Sequence, residues 1–351
     1  MAVSGDRHTV AVTGASGYIG THVVRLLLEE GHNVHATVRD PSDDNKVAHL
    51  ESLPGADRLT LFAANVLDSR SFDEAFAGCD WLVHAASSVR LSAPDPQRDI
   101  VDPAVKGTRN VLEAAERAGT VRRVVVTSSI AAVAPSEGPA GVTFTEDDWN
   151  DKADLENSPY PLAKVKAERT AWDFVEAMPE EKRLRLVTLL PGMVFGPVLA
   201  RVHLRSSPST LRLILQGKIP ALPRLSFGLV DVREVALAHL RGLEKDDAKG
   251  RYLLVAGQLW MEEIARILRE HFPNAPVPKR RMPTLMTYGL ALFTKSMSLH
   301  FVRNNLGRER FFAATRRKEL GIEFRPLEET VVDTAQSLRD QGFDRAGRGK
   351  R

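Results

Sequence analysis

Short apolar runs and longer amphipathic stretches alternate through the first 190 residues. Residues 10–13 are apolar and β-branched, Val24, Leu27 and Leu28 recur at helical spacing, and residues 34–38 are apolar again beyond Gly31, a natural helix stop. Strand, tight turn, helix and strand are expected there. Further strands are expected at 59–63, 81–84 and 123–127. The helices between them carry Val47 and Leu50, then Phe72, Ala75 and Phe76, then Val105, Thr108, Val111, Leu112 and Ala115, with Gly119 closing the last. A sixth strand is expected at 184–190. Strands alternating with helices make a parallel sheet covered on both faces, and ligands in such a sheet sit beyond the carboxyl ends of the strands.

Past residue 191 the alternation fades. Pro208, Pro220 and Pro223 and the mixed segment to Phe227 predict a smaller lobe built from insertions, not an independent domain. Asp231 is expected to cap a helix carrying Val235, Leu237, Ala238 and Leu240, and residues 252–255, 260–272 and 327–338 read as strand, helix and helix. The organisation expected is an α/β doubly wound parallel sheet over 8–192 and a substrate lobe over 193–340, from which about 226–256 returns to the sheet. Residues 341–351 are expected to be a flexible basic tail. The most apolar late segment, 285–302, is interrupted by Lys295 and His300 and is short for a bilayer crossing. It reads as a buried or lid helix, with a peripheral membrane contact as the alternative.

Between the first strand and helix stand Gly14, Gly17 and Gly20. The first glycine lets the chain turn out of the strand, the second lets backbone N–H groups approach a pyrophosphate, and the third lets helix and strand pack closely. The helix N-terminus adds unsatisfied N–H groups and partial positive charge. Strand, glycine turn, helix and second strand together form the Rossmann dinucleotide site. An acid at the end of the second strand holds the ribose of NAD, whereas an arginine there holds the 2′-phosphate of NADP. Arg39 occupies that place with Asp40 behind it, so NADP is preferred, NAD remains the alternative through Asp40, and Lys46 is a candidate second cation.

Composition changes this picture little. With 43% hydrophobic and 26% charged residues the chain is ordinary globular protein, and its net charge of +3 owes much to the tail 345–351, so no nucleic-acid partner is expected. The lone Cys79 rules out an internal disulfide, is compatible with a reducing compartment, and is expected to be a buried, inert thiol. Residues 1–8 hold no apolar core of the length a secretory signal needs, so a cytoplasmic location is expected, with no membrane-spanning segment and no metal site.

The candidate chemistry lies in residues 127–129 and 158–164. Ser158 and the prolines after it mark a helix start, which puts Tyr160 and Lys164 one turn apart on one face. A lysine there can lower the pKa of the phenol, and a serine hydroxyl can hold a carbonyl oxygen while a nicotinamide exchanges hydride. Ser129, at the end of the fifth strand, supplies that hydroxyl, with Ser128 in reserve.

These segments carry a resemblance. TGASGYIG, HAAS, VVVTSS, YPLAK and LLPGMVFGP are similar to the motifs of the extended short-chain dehydrogenase/reductases, and TVRDP, DPAVKGTRNVLEAA and VDVREVALAH resemble the branch of dihydroflavonol, cinnamoyl-CoA and microbial carbonyl (methylglyoxal-type) reductases. The resemblance implies reversible NADPH-dependent reduction of an aldehyde or ketone, with Tyr160 as general acid, Lys164 on the nicotinamide ribose and Ser129 polarising the carbonyl. It implies cofactor contacts from Gly14, Ser16, Gly17, Tyr18, Ile19 and Gly20, from Arg39 and Lys46, from Asn65 and Val66 beside adenine, and from Ala85, Ala86, Ser87 and Thr127. Tyr160 and Lys164 also touch the cofactor, and Pro191, Gly192, Met193 and Val194 contact the nicotinamide. Helices at 99–118 and 158–178 are candidates for dimer packing, so monomer and homodimer both stay open.

The departures concern substrate. Ala134 and Gly228 stand where plant dihydroflavonol reductases place an Asn and a Gln, and no phosphate-binding surface for a CoA ester is evident. What remains is a mostly apolar pocket from 89–91, 193–199 and parts of 203–228. An NAD-retaining sugar-nucleotide epimerase or dehydratase, a hydroxysteroid dehydrogenase and a non-catalytic NADP sensor are the competing functions. The asparagine usual before Val-x-Gly-Thr in the epimerases is missing at 103–108, and sensors typically lack the Tyr-Lys pair.

Overall fold

A computed structural model describes residues 7–86, 90–135, 137, 140–293 and 299–344. Strands β1 (Thr9–Thr13), β2 (Asn33–Val38), β3 (Leu59–Ala63), β4 (Trp81–His84) and β5 (Arg123–Thr127) alternate with helices α1 (Tyr18–Glu29), α2 (Asp44–Glu51), α3 (Asp73–Phe76) and α4 (Asp102–Ala118). After the short β6 (Thr143–Phe144) come α5 (Pro159–Glu176) and β7 (Arg185–Pro191). The second half holds β8 (Met193–Phe195), α6 (Pro208–Leu215), β9 (Ser226–Asp231), α7 (Val232–Glu244), β10 (Gly250–Leu254) and β11 (Gly257–Trp260). It ends with α8 (Met261–His271), α9 (Thr284–Phe293), α10 (Leu299–Asn305), β12 (Phe311–Phe312) and α11 (Leu327–Asp340).

The main sheet is parallel throughout, in the order β3-β2-β1-β4-β5-β7-β10. Its strands read as continuous apolar runs because both faces are covered. On one face Phe72, Phe76, Cys79, Val111, Leu112, Ala171 and Val175 pack together. The other face joins Val24, Leu27 and Leu28 of α1 to Leu240 and Leu243 of α7, and runs on without a break into Leu211, Ile264, Leu268, Val331 and Ala335 of the lobe. A single core therefore spans both halves of the chain, and β10 of the second half completes the sheet of the first. The lobe adds a small sheet ordered β11-β9-β8, and β12 pairs with β6.

Two caps behave differently. Asp231 accepts from the Arg233 N–H at 2.9 Å, as its place before α7 predicts. Ser158 does not cap α5: its hydroxyl is turned back to the backbone of Asp154, accepting the N–H at 2.9 Å and donating to the carbonyl at 3.3 Å. Cys79 is buried, and burial pushes its thiol up to about 12. The 285–302 segment departs from the expected buried helix, because Leu285 of α9 is 87% and Leu292 65% exposed. Lys295 and residues 345–351 of the expected tail lie outside the described residues; within 341–344, Phe343 is buried and its N–H donates to the Leu338 carbonyl at 2.7 Å, so these four belong to the fold. Among the described residues, no helix is long and apolar enough to cross a membrane.

Candidate active site

Of the expected ligand positions, the glycine turn, Arg39, Asn65, Val66, Ala85, Ala86, Thr127, Ser129 and 191–194 lie at or just past the carboxyl ends of strands, whereas Lys46 is in α2 and Tyr160 and Lys164 are in the first turns of α5. The order reverses between β1 and β4, and the crevice of a doubly wound sheet opens at that point. Gly14 turns out of β1 at φ 68°, and a Cβ there would stand 2.7 Å from the Cα of Ala86. At Gly20 a Cβ would fall inside the carbonyl oxygen of Gly14, so helix and turn meet only through glycine. Gly17 donates to the Gly14 carbonyl at 2.9 Å, and no side chain caps the helix that follows. Together these leave a bare backbone cradle fitted to a pyrophosphate. Ser16 and Ile19 flank it half-buried. Tyr18 offers only its backbone there, since its phenol is buried and donates to the Gly196 carbonyl at 2.8 Å.

At the end of β2, Asp40 is engaged locally: it accepts from the Ser42 hydroxyl at 2.6 Å and from the Ser42 N–H at 2.9 Å, which holds its carboxyl below the usual range. Lys46 pairs with Asp43. Arg39 is exposed at the same strand end, whereas the acid that would serve an NAD ribose is turned to its own loop. Beyond β3 the Asn65 side-chain oxygen accepts from the Leu67 N–H at 3.1 Å, which keeps its NH₂ for another partner. The Val66 carbonyl is held by Asn110 of α4 at 2.8 Å. Ala85 and Ala86 follow β4, with the Ala86 N–H donating to the Thr13 hydroxyl at 3.2 Å. Ser87 lies outside the described residues, as does Val89 of the expected pocket.

Beyond β5 the two serines diverge. Ser128 is buried and donates to Glu168 at 2.6 Å. Ser129 accepts from the Ala131 N–H at 3.2 Å, and its hydroxyl is near enough to the Tyr160 phenol to act on its ionisation. Burial pushes that phenol above its ordinary value, and Ser129 pulls it partly back. The expected lowering by Lys164 is not what dominates here. Lys164, only 7% exposed, donates to the Thr127 carbonyl at 3.2 Å, and burial brings its ammonium down to about 8 against the opposing pull of Glu168. A neutral phenol and a marginally charged ammonium therefore stand one turn apart on α5.

Several residues that sequence reasoning passed over hold this arrangement. Glu168 lies one turn past Lys164, fully buried, and takes bonds from Ser128, from Thr188 at 2.8 Å and from Arg251 of β10 at 2.8 Å. Arg251 in turn donates to the carbonyls of Glu146 and Asp148 and lies 3.8 Å over the Trp149 ring. The spacing Tyr160, Lys164, Glu168 was the one available signal; the partner 83 residues on was not. His84 is bonded to Thr13 at 2.8 Å, and burial, with the nearby Lys164 charge, lowers it to about 4. His239 donates from Nδ1 to the Val235 carbonyl at 2.7 Å, so its Nε2 accepts from the Thr127 hydroxyl at 2.8 Å. Thr127 thus offers the crevice a fixed backbone, with its hydroxyl turned to α7.

Pro191, Gly192, Met193 and Val194 cross from β7 into β8 beside this cluster, with Gly192 bonded to the Leu254 carbonyl at 3.0 Å. Past Ser129, Ile130, Ala132 and Val133 join an apolar group with Val165, Leu190, Phe144 and Phe312. A Cβ on Gly228 would meet Val255 at 3.3 Å and the Phe312 ring at 3.4 Å, so a longer side chain there would have to push these two aside. Of the pocket expected in 203–228, His203, Leu211, Ile214, Leu215 and Leu222 belong to the interior instead. The long apolar positions of an amphipathic helix fill the core as readily as a pocket, and sequence alone does not separate the two.

Residues 10–256 match the NAD dependent epimerase/dehydratase family. The chain is 38% identical over 348 residues to cinnamoyl-CoA reductase CAD2 of Medicago truncatula, covering 98% of this chain and 99% of that one. It is 34% identical to tetraketide alpha-pyrone reductase 1 of Arabidopsis thaliana, covering 95% and 96%. Among solved structures it superposes on yeast methylglyoxal/isovaleraldehyde reductase Gre2 complexed with NADPH, with TM-score 0.78, 28% identity and coverage of 95% and 99%. On this match, and on a crevice built for a dinucleotide, the chain belongs to the NAD dependent epimerase/dehydratase family, the extended short-chain dehydrogenase/reductases.

Proposed function

We propose that the protein reduces an apolar aldehyde or ketone to its alcohol with NADPH, reversibly, and that Ser129, Tyr160 and Lys164 carry the proton chemistry. It is an oxidoreductase using NADP(H), in common with the named reductases it resembles, one of which was solved with that cofactor. The observation that carries the proposal is the convergence at the end of β5: Ser129 acts on the Tyr160 phenol, and Lys164, one turn on in α5 and buried, donates to the Thr127 carbonyl at 3.2 Å.

The backbone of 14–20 would hold the pyrophosphate, Arg39 the 2′-phosphate, Asn65 and Val66 the adenine, and 191–194 the nicotinamide. When bound, NADPH supplies hydride to the carbonyl carbon. Ser129 donates a hydrogen bond to the carbonyl oxygen, and Tyr160 passes its phenolic proton to that oxygen as the C=O π pair moves onto it. A phenol raised by burial is protonated at neutral pH, which suits a proton donor. Lys164 steadies the phenolate that remains, and Glu168 keeps the lysine charged. The apolar surround of Ile130, Phe144 and Phe312 favours a carbonyl with an apolar body. Asp40, bound to Ser42, weighs against the NAD-retaining epimerase.

Mixing the purified protein with NADPH and a panel of carbonyls, and following the reduced nicotinamide by its absorbance, tests this directly. Tyr160→Phe is expected to cut turnover about 10²–10⁴-fold while leaving NADPH binding intact. Co-purified NAD with conversion of a UDP-sugar would sink the proposal in favour of an epimerase, and tight NADPH binding without turnover would sink it in favour of a sensor.

A further inference from the structure

Helix α9 reads TLMTYGLALF and holds no charged residue, yet one side of it faces outward. Thr287 and Ala291 point inward and are buried, while Leu285, Met286 and Leu292 are exposed, joined by Leu299 at the start of α10. Its neighbour α8 behaves as a surface helix should, burying Ile264 and Leu268 and exposing Arg266 and Glu270. A helix that is apolar all round belongs in a core or against lipid. The charge around it is one-signed: residues 271–308 contain no aspartate or glutamate, and Lys279, Arg280, Arg281 and Arg303 are exposed beside the apolar face. Only Arg281 among these four has an acidic partner, Glu262 at 3.2 Å.

We infer that the α9–α10 face docks on an anionic lipid bilayer, with Leu285, Met286, Leu292 and Leu299 entering the acyl boundary and the flanking cations meeting headgroups. A second copy fits less well. A two-fold interface would set this face against itself, bringing Lys279, Arg280 and Arg303 to like charge, while the nearby acids Glu262 and Glu137 are already taken by Arg281 and His300. A bilayer of anionic lipid supplies both an apolar phase and the missing negative charge. The position gives docking a use: His300 of α10 pairs with Glu137 at 3.2 Å, and Gly141 is bonded to the Glu309 carbonyl at 3.0 Å, tying the hairpin to the segment that follows Ser129. The docking stands on the surface alone; only its use, to collect a lipid-dissolved carbonyl, rests on the function proposed above.

Co-sedimentation of the full chain with vesicles of phosphatidylserine in phosphatidylcholine, against phosphatidylcholine alone, tests docking without any turnover readout. Binding to the anionic vesicles is expected, and Leu285→Glu with Leu292→Glu should abolish it while leaving the melting curve and NADPH binding as they were. Should that pair disturb folding, Lys279→Ala with Arg280→Ala serves, weakening binding more than tenfold at about fivefold per cation. Absence of the wild-type chain from the anionic pellet overturns the inference. So does equal binding to both vesicle types, or a concentration-dependent dimer that Leu285→Glu dissolves in a chain that ignores vesicles.

Discussion

Lys164 keeps its charge by a narrow margin, and this has a measurable consequence. Reduction as proposed needs both the proton on Tyr160 and the ammonium on Lys164. Burial raises the first and lowers the second to about 8, so the lysine titrates first as pH rises. The kcat/KM for reduction should be level near neutrality and fall above about pH 8, and its profile in the free enzyme checks this. Glu168→Gln removes the carboxylate that holds the ammonium up, so the falling limb should move to lower pH. At the other end of the crevice, Arg39→Ser is expected to raise KM for NADPH about 10–100-fold and leave that for NADH unchanged, since charge-assisted hydrogen bonds contribute about 1.5–3 kcal/mol. Ser129, Tyr160, Lys164 and Arg39 could all be picked out in the sequence because each sits at a fixed offset from a strand end or a helix start. Glu168 had only its spacing of four from Lys164 to mark it, and a carboxylate on a helix is normally a solvated one.

At the scale of elements, the alternation through β7 was legible because each strand is a continuous apolar run bounded by a turn or helix stop. The strands β6, β8, β11 and β12 were not. Each is two to four residues long, too short for a period of two to be told from chance. The exposed face of α9 was misleading for the opposite reason: an unbroken apolar pattern signals burial whether the apolar phase is protein or lipid. The ion pair between α5 and β10 joins elements far apart in the chain, and its removal should be felt in both. Glu168→Ala leaves Arg251 charged and buried, a loss of about 3–5 kcal/mol that urea denaturation would read.

For the molecule as a whole, one core shared by sheet and lobe means that the two halves should melt together, and that a ligand held by both should stabilise both. The proposed cofactor contacts come from 14–20 at one end and 191–194 at the other. NADPH at about 100 times its dissociation constant should therefore add about 2.7 kcal/mol to a single unfolding transition. NADH at the same concentration should add less, and calorimetry separates the two. The seventh strand has a further consequence, for synthesis. Until Gly250–Leu254 emerges from the ribosome, β7 is an uncovered edge and Glu168 lacks its arginine partner. At about 5–20 residues per second, that interval lasts about 3–13 s after Pro191 is made. A nascent chain stalled in this window would be the aggregation-prone species, and a truncation ending just short of Gly250 should accumulate in the insoluble fraction.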